Sequence, residues 1–466
     1  MTNYASSQLA EWTGGRWTTA PVLPLTGFTI DSRQLRSGQV FVALRTSNRD
    51  GHDFLVATEK SGASAAIVAQ VNETLKLPQL VVSDPLQALQ EIAKQHRRLF
   101  AGPVIGISGS VGKTSTKNLL ALLLGGESGG VLATEGNLNN HLGVPLTLTR
   151  LEHGVHKFAV VEAGISGPGE MAPLAEMISP DVAITTLVAP AHVAELGSIE
   201  GVAKEKAVLP AALRKAGVSI FPWQCAGFPA FAALAGKRII VERADVVRPE
   251  EPSSDRVYFS ITHRKDETAI VLAYGAPPPL VFSLRRVSDG MGQNAVLAIC
   301  AALWLGVNHQ DIQTRLGNWT ATKMRGEFKN EHGKLLYVDC YNASPASMAD
   351  ALDIFYATAP MDQPRMLILG GMEELGAESE MFHRALGRSL RLRPEDQLFV
   401  LGNFAPAVCD GAMAGGAQSS QLHAVDNLTA IQDVFTDFKG AVFLKGSRRY
   451  QLETLLAESK EAPAHA

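Results

Sequence analysis

Four cysteines in 466 residues are too few and too scattered for a disulfide framework. Cys225, Cys300, Cys340 and Cys409 form no C-x-x-C pair and no metal-finger spacing, so they read as reduced thiols that fill cores. No run of about 18 apolar residues goes uninterrupted, which argues against a membrane-spanning helix. The opening segment MTNYASSQLAEW has no cationic stretch followed by an apolar one, which argues against a secretory leader. Basic residues are not in excess, at 42 Lys plus Arg against 46 Asp plus Glu, for a net charge of −4. That balance gives no footprint for nucleic acid or a membrane surface. Internal repeats and long low-complexity tracts are also missing. What remains, with 46% hydrophobic and 19% charged residues, is a cytoplasmic globular protein with sizeable cores. Its length points to about three domains.

The first part holds short apolar runs (FTI, VFVAL, AAIVA, LVVSD) between polar turns, and a helical stretch, LQALQEIAKQHRRLF, closes it at Phe100. Pro103 then opens VIGIS, a β-branched run that enters a glycine turn. FAVVEAG and VAITTLV read as buried parallel strands, because such strands are nearly continuous in apolar residues. The segment from Arg238 to Ser283 is rich in strand signals and is expected as an antiparallel addition to the same domain. GQNAVLAICAALWLG predicts a helix stopped by Gly306. After Thr322 the pattern restarts, with strands LLYVD, MLILGG, LFVLG and AVFLKG alternating with helices. Such alternation implies a three-layer α/β domain.

The most informative stretch is VIGISGSVGKTST, Val104 to Thr116, followed by the helical NLLALLL. A strand runs into a glycine turn and a helix that starts at Lys113 and Thr114. Backbone N–H groups of Gly109, Ser110, Val111, Gly112 and Ser115 can cradle phosphate oxygens there. Lys113 adds a point charge, and the Thr114 hydroxyl can ligate Mg2+. Ile107 occupies the first glycine position of the standard eight-residue spacing, so the motif is the shorter G-S-V-G-K-T. The blander alternative is a glycine turn with a surface lysine. The coincidence of strand, GKT and helix favours an ATP site.

That shortened loop, and the segments around it, resemble the Mur ligase family. TEGNLNNHLGVPLTL (Thr134 to Leu148), VEAG with Glu162, APAHVAELGSIEGVAKEKAVL with His192 and Lys206, and DCYNASPASM (Asp339 to Met348) are each similar to family motifs. GGMEELGAESEMFH, LKGSRR and the N-terminal IDSRQLRSGQVFVAL with DGHDF add three more, so the likeness spans nearly the whole chain. Within the family the likeness is greatest to the member that adds D-alanyl-D-alanine to UDP-N-acetylmuramoyl-tripeptide. The resemblance implies an α/β protein of three domains. Residues 1–100 would bind the UDP-linked substrate. Residues 101–321 would form a phosphate-loop ATPase-type domain around a parallel sheet. Residues 322–466 would form a Rossmann-like ligase domain. It also implies a monomer that makes an amide bond at the expense of ATP, in peptidoglycan precursor synthesis. Some positions depart from the family pattern: Ala194 replaces a glutamate, Gln293 a histidine, Gly371 an aspartate and Pro210 an aromatic residue. A folate-polyglutamating type of ligase and a nucleotide-binding, non-catalytic paralogue are the competing readings.

Site roles follow from the same resemblance. Lys113, His192 and Lys206 would be catalytic. Thr114 and Glu162 would hold one Mg2+, and His192 with a carbamylated Lys206 would hold a second. Asn294, Arg325 and Asp339 would join the loop residues in binding ATP. Ser32, Arg33, Asn137, Asn139, Asn140, Tyr341, Asn342, Lys445 and Arg448 would contact the substrates. Read from the residues alone, several of these stay open. Glu162 could be an ordinary strand-end ion-pair partner, and His192 a core histidine. Asn294 could cap a helix, and the asparagines near position 139 favour turns by default. Lys445 and Arg448 could be a solvated helix start. Lys204 competes with Lys206 for the lysine role.

Overall fold

A computed structural model describes residues 3–244, 255–274 and 278–456. They build three sheets in chain order. The first has five strands: β1 (Arg16–Trp17), β2 (Gly27–Thr29), β3 (Gln39–Val42), β4 (Ala65–Val68) and β5 (Gln79–Val81). Strands β2, β3, β4 and β5 pair in parallel, and β1 adds antiparallel to β5. The helix Pro85–Leu99 covers this sheet. The Asp84 carboxylate caps it by accepting from Leu86 N and Gln87 N, and Pro85 stands at its first turn. Near its end the buried Arg97 donates to the carbonyls of Ile178 and Ser179 and to the Asp181 carboxylate, which ties this part to the next.

The central sheet has nine strands: β6 (Val104–Ser108), β7 (Val131–Ala133), β8 (Phe158–Glu162), β9 (Val182–Thr185), β10 (Val218–Pro222), β11 (Lys237–Arg243), β12 (Arg256–His263), β13 (Glu267–Ala273) and β14 (Leu280–Arg285). Their order is β14-β13-β12-β11-β10-β9-β6-β8-β7. Every residue of β6, β9 and β10 is buried, as a parallel sheet covered on both faces requires. The expected antiparallel addition is corrected in part. The β10–β11 and β11–β12 pairings are parallel, and antiparallel pairing begins only at β12–β13 and continues at β13–β14. β11 is buried almost continuously, whereas β12 and β13 alternate, as half-covered strands do. Alternation reports coverage of a strand's faces and says little about its direction.

From the helix His309–Gly317 the chain crosses to the third sheet through a segment in which Met324 takes a left-handed φ of +61°. Six strands form this sheet: β15 (Glu327–Glu331), β16 (Lys334–Asp339), β17 (Arg365–Gly370), β18 (Gln397–Leu401), β19 (Leu422–Val425) and β20 (Gly440–Lys445). The order is β15-β16-β20-β17-β18-β19, parallel except for β15. The edge strand β15 carries little apolar signal: EFKNE is polar and only partly covered, as suits an edge.

Under this sheet Arg365 and Asp396 form a buried ion pair at 2.5 Å, with the Asp396 side chain fully covered. Burial pushes the Asp396 carboxyl up, but hydrogen bonds from Arg365 and Arg393 outweigh it and hold it below its usual range. A depressed carboxyl stabilises the fold above its unfolded-state pKa, and that contribution fades as pH falls through the folded value. Asp396→Ala strands the guanidinium. It should cost about 3–5 kcal/mol in urea unfolding at neutral pH, with the gap to wild type narrowing in acid.

Candidate active site

The phosphate loop lies between β6 and the helix Lys113–Leu123. Two glycines permit its shape. Gly109 has φ +143°, and a Cβ there would stand 1.9 Å from Thr186 Oγ1. Gly112 has φ +84°, and a Cβ there would stand 2.4 Å from Asn294 Nδ2. The loop is pinned to the segment after β9. Ser110 N donates to Leu187 O at 2.8 Å, Ser110 Oγ to Ala189 O at 2.8 Å, and Thr186 Oγ1 to Val111 O at 2.5 Å. Lys113 Nζ folds over the loop and donates to Gly109 O at 2.7 Å. Burial draws the Lys113 ammonium below its usual pKa; Glu162 opposes this and Arg325 adds to it.

Glu162 ends β8 with its side chain buried. Its Oε1 accepts from Asn139 Nδ2 at 2.8 Å, while Oε2 is buried without a hydrogen-bond partner. Its backbone N donates to Thr134 Oγ1 at 3.0 Å, and the buried Lys117 donates to Thr134 O at 2.5 Å. A carboxylate with one oxygen fixed and the other open suits a hard cation better than it suits an ordinary ion pair. Among the described residues no three His, Cys, Asp or Glu side chains converge into a preformed metal cage.

His192 starts the short helix Val193–Leu196 from a left-handed backbone, φ +56°. Its Nδ1 lies 2.6 Å from Glu374 Oε2. His192 holds the Glu374 carboxyl below its usual range. The two competing lysines separate cleanly: Lys204 is exposed, and Lys206 is 1% exposed. Burial, with Lys113 adding to it, drives the Lys206 ammonium well below its ordinary pKa. In the same environment burial pushes the Cys225 thiol up to about 12.

A cleft of about 790 Å3 runs from this loop to the C-terminal sheet. It is lined by Ser110 to Ser115, Asn137, Asn139, Asn140, Glu162, His192, Asn294, Arg325, Asp339, Tyr341, Asn342 and Lys445. Asn294 is not a cap, because Ser288 Oγ caps that helix by accepting from Met291 N. The Arg325 guanidinium stacks 3.9 Å over the Tyr341 ring. Lys445, 1% exposed, spends its ammonium on Asp339 Oδ2 at 2.6 Å and Asn342 O at 3.1 Å, so it braces the segment that faces the cleft. Asn140 Oδ1 accepts from Leu142 N and Gly143 N, the turn role expected by default.

Five expected site residues do not line the cleft, and one of them is Gly109, at the strand end of the phosphate loop. Lys206 is buried and does not line the cleft. Ser32 and Arg33 are in the first part, where Arg33 pairs with Asp31 at 2.7 Å. Arg448 pairs with Glu453, 3.7 Å from Met324 Sδ. The cleft also contains residues that motif reading missed. Arg285, Ser288 and Asp350 line it, and Asp350 Oδ1 accepts from Gly290 N at 2.8 Å across the two sheets' helices. Lys117 is legible in retrospect, four residues after Lys113 on the same helix. Gly371 has a steric reason: a Cβ there would meet Tyr450 Oη at 2.7 Å. A second cavity of about 450 Å3, lined by Lys94, Arg97, Arg98 and Arg214, holds none of the motif residues.

A pinned glycine loop at a helix start, with a half-free carboxylate beside it and a second domain facing it, defines a nucleotide-dependent group-transfer enzyme. Residues 24–97 match the Mur ligase family catalytic domain, 107–302 the Mur ligase middle domain, and 324–448 the Mur ligase glutamate ligase domain. The chain is 30% identical to the UDP-N-acetylmuramoyl-tripeptide–D-alanyl-D-alanine ligase of Escherichia coli (strain K12), over 99% of each chain. It is 29% identical to the enzyme of that name from Bacillus subtilis (strain 168), over 94% of this chain and 93% of the relative. A crystal structure of MurF from Acinetobacter baumannii superposes with a TM-score of 0.84, at 27% identity and covering 98% of each chain. The chain belongs to the Mur ligase family and is an ATP-dependent ligase. Among the described residues no helix is long and apolar enough to cross a membrane.

Proposed function

We propose that this chain joins D-alanyl-D-alanine to UDP-N-acetylmuramoyl-tripeptide in the cytoplasm, through an acyl phosphate, as a step of peptidoglycan precursor synthesis. The observation that carries the reading is the cleft itself. Lys113, the open oxygen of Glu162 and the Asp339–Asn342 segment share one space, in a chain that matches its relatives from end to end. The boundaries proposed from sequence, 1–100, 101–321 and 322–466, then divide the labour among UDP-substrate binding, ATP binding and ligation.

Bringing a carboxylate to a γ-phosphate sets two anions against each other, so the residues must supply positive charge and in-line geometry. Lys113 leaves its resting contact with Gly109 and reaches the phosphates, while the loop N–H groups hold their oxygens. Arg325 offers a second cation from the side of the C-terminal domain. Asn294 lies against Gly112, where it can fix the nucleoside end. Thr114 and Glu162 would hold one Mg2+, and His192 with a carbamate on Lys206 a second; the orphaned Glu162 oxygen and the buried, readily deprotonated Lys206 fit those parts. Bound Mg2+ supplies a Lewis acid for the charge on the transferring phosphoryl group. Transfer leaves ADP and a carboxyl phosphate. The dipeptide amine then attacks the carbonyl, forming the amide and expelling phosphate. Ser32 and Arg33 would bind the UDP end, and Tyr341, Asn342 and Asn137 would face the peptide partners. Arg448 is the weakest of these assignments, since its guanidinium already has a carboxylate partner.

Folylpolyglutamate synthase from Mycobacterium tuberculosis shares the fold, with a TM-score of 0.60 at 16% identity. Fold alone therefore does not choose the substrate. Release of phosphate from ATP that requires both the UDP-tripeptide and the dipeptide supports the proposal. Release driven by folate and glutamate, or none, overturns it.

Assigning contacts to three domains also implies closure around the ligands, with a hinge at 320–324, where Met324 holds its left-handed turn. The radius of gyration should fall in small-angle scattering when ATP analogue and both substrates are present. Superimposable curves would contradict the hinge.

A further inference from the structure

The contact between His192 and Glu374 joins the two parts of the molecule that face each other across the cleft. His192 sits on the segment after β9 that is tied to the phosphate loop through the Ser110–Ala189 hydrogen bonds. Glu374 sits on the loop after β17, on the other side. Both residues hold left-handed backbones without being glycine, φ +56° and +65°. Such conformations persist only where the surroundings impose them. The surroundings are visible on the Glu374 side. Met372 N donates to His383 Nε2 at 2.9 Å, and Tyr450 Oη donates to Glu373 Oε1 at 2.8 Å. Gly376, at φ +62°, closes the turn so tightly against Ala194 that a Cβ would stand 3.2 Å from the Ala194 Cα. Each half of the pair is thus aimed by its own domain, and the two meet at 2.6 Å.

We infer that Glu374 is a positioning residue for His192. By engaging Nδ1 it leaves Nε2 as the ring nitrogen available to the cleft and fixes the ring's orientation. A carboxylate that holds the remote nitrogen of a histidine is the usual support for an imidazole that serves a metal. Here the support arrives from the C-terminal domain, so the histidine is oriented only when that domain is docked. Docking and retention of the second cation become one event. This rests on the proposed metal role of His192, and the controls below separate the two ideas.

The test is a double-mutant cycle on the full-length protein, with Mn2+ as the probe. Mn2+ affinity in the presence of a non-hydrolysable ATP analogue would be measured by calorimetry, beside kcat and KM for ATP. Glu374→Gln preserves size and removes the charge. It should weaken Mn2+ binding by about 10- to 100-fold, the range for carboxylates that orient a metal-binding histidine. KM for ATP should change little, and Glu374→Asp should recover part of the loss. His192→Ala should weaken Mn2+ at least as much, and adding Glu374→Gln to it should cost almost nothing further, because the carboxylate acts only through the ring. Additive losses, or an unchanged Mn2+ affinity in Glu374→Gln beside a weakened His192→Ala, overturn the positioning role. An unchanged affinity in His192→Ala overturns instead the metal reading on which it rests.

Discussion

Lys113→Ala is expected to lower ligation by at least about a hundredfold while the protein stays folded, because removing one preorganised electrostatic contact commonly costs roughly 10²–10³ in rate. The Lys113 ammonium is the only cation the phosphate loop itself carries, and it already lies over the loop, 2.7 Å from Gly109 O. Desolvation there strengthens its field on anything that enters and makes its loss hard to compensate from solvent. Arg325 stands near enough to influence it but is engaged on the Tyr341 ring, and Lys117 is spent on the Thr134 carbonyl. The effect should fall mainly on kcat, since the transferring phosphoryl group needs the charge most in the transition state. Steady-state kinetics with a melting curve as the folding control checks this. Near-normal turnover in a folded variant would remove the phosphate loop from the mechanism.

Lys206→Ala is expected to be as severe, and Lys204→Ala mild. Lys206 is enclosed while Lys204 meets water, so only the former has reason to change charge state. An ammonium beside Lys113 and a divalent cation would repel both, whereas a carbamate, formed from the neutral amine and CO2, adds an oxygen ligand and reverses the charge. The depressed pKa makes the neutral amine available nearer neutrality than for an ordinary lysine. As pH falls through that lowered value the ammonium returns and the carbamate is lost. Wild-type activity should therefore decline as pH falls through that lowered value, most steeply when CO2 is stripped. Acetate supplied to Lys206→Ala should restore part of the rate by filling the vacated position. A crippled Lys204→Ala with a tolerant Lys206→Ala would mean the assignment names the wrong lysine. Indifference to both, and to CO2, would remove the carbamate.

Much of the site was legible because its chemistry is local. GSVGKT carries its own turn glycines, its charge and its helix start within six residues, and the strands that deliver it are continuous apolar runs. Placement of Lys206 was half legible. Residues two apart on a helix face nearly opposite ways, so one of the two lysines had to point inward, but only packing of the helix Ile199–Ala211 says which. Pairings between distant segments left no mark. Lys445 on Asp339, Asp350 on Gly290 and Glu374 on His192 each join residues that no period or spacing connects. The direction of β11 and β12 was equally hidden, since a strand's composition records what covers it and not which way its neighbour runs.

The most direct test of the central claim follows one oxygen atom. UDP-N-acetylmuramoyl-tripeptide labelled with ¹⁸O in the carboxylate that becomes the amide is incubated with the chain, ATP, Mg2+ and D-alanyl-D-alanine, and the released phosphate is weighed by mass spectrometry. An acyl phosphate takes one carboxylate oxygen away when the amine displaces it, so the phosphate should carry one ¹⁸O per amide formed and the nucleotide should appear as unlabelled ADP. Phosphate free of label while the amide accumulates, or label recovered in AMP, would contradict the account.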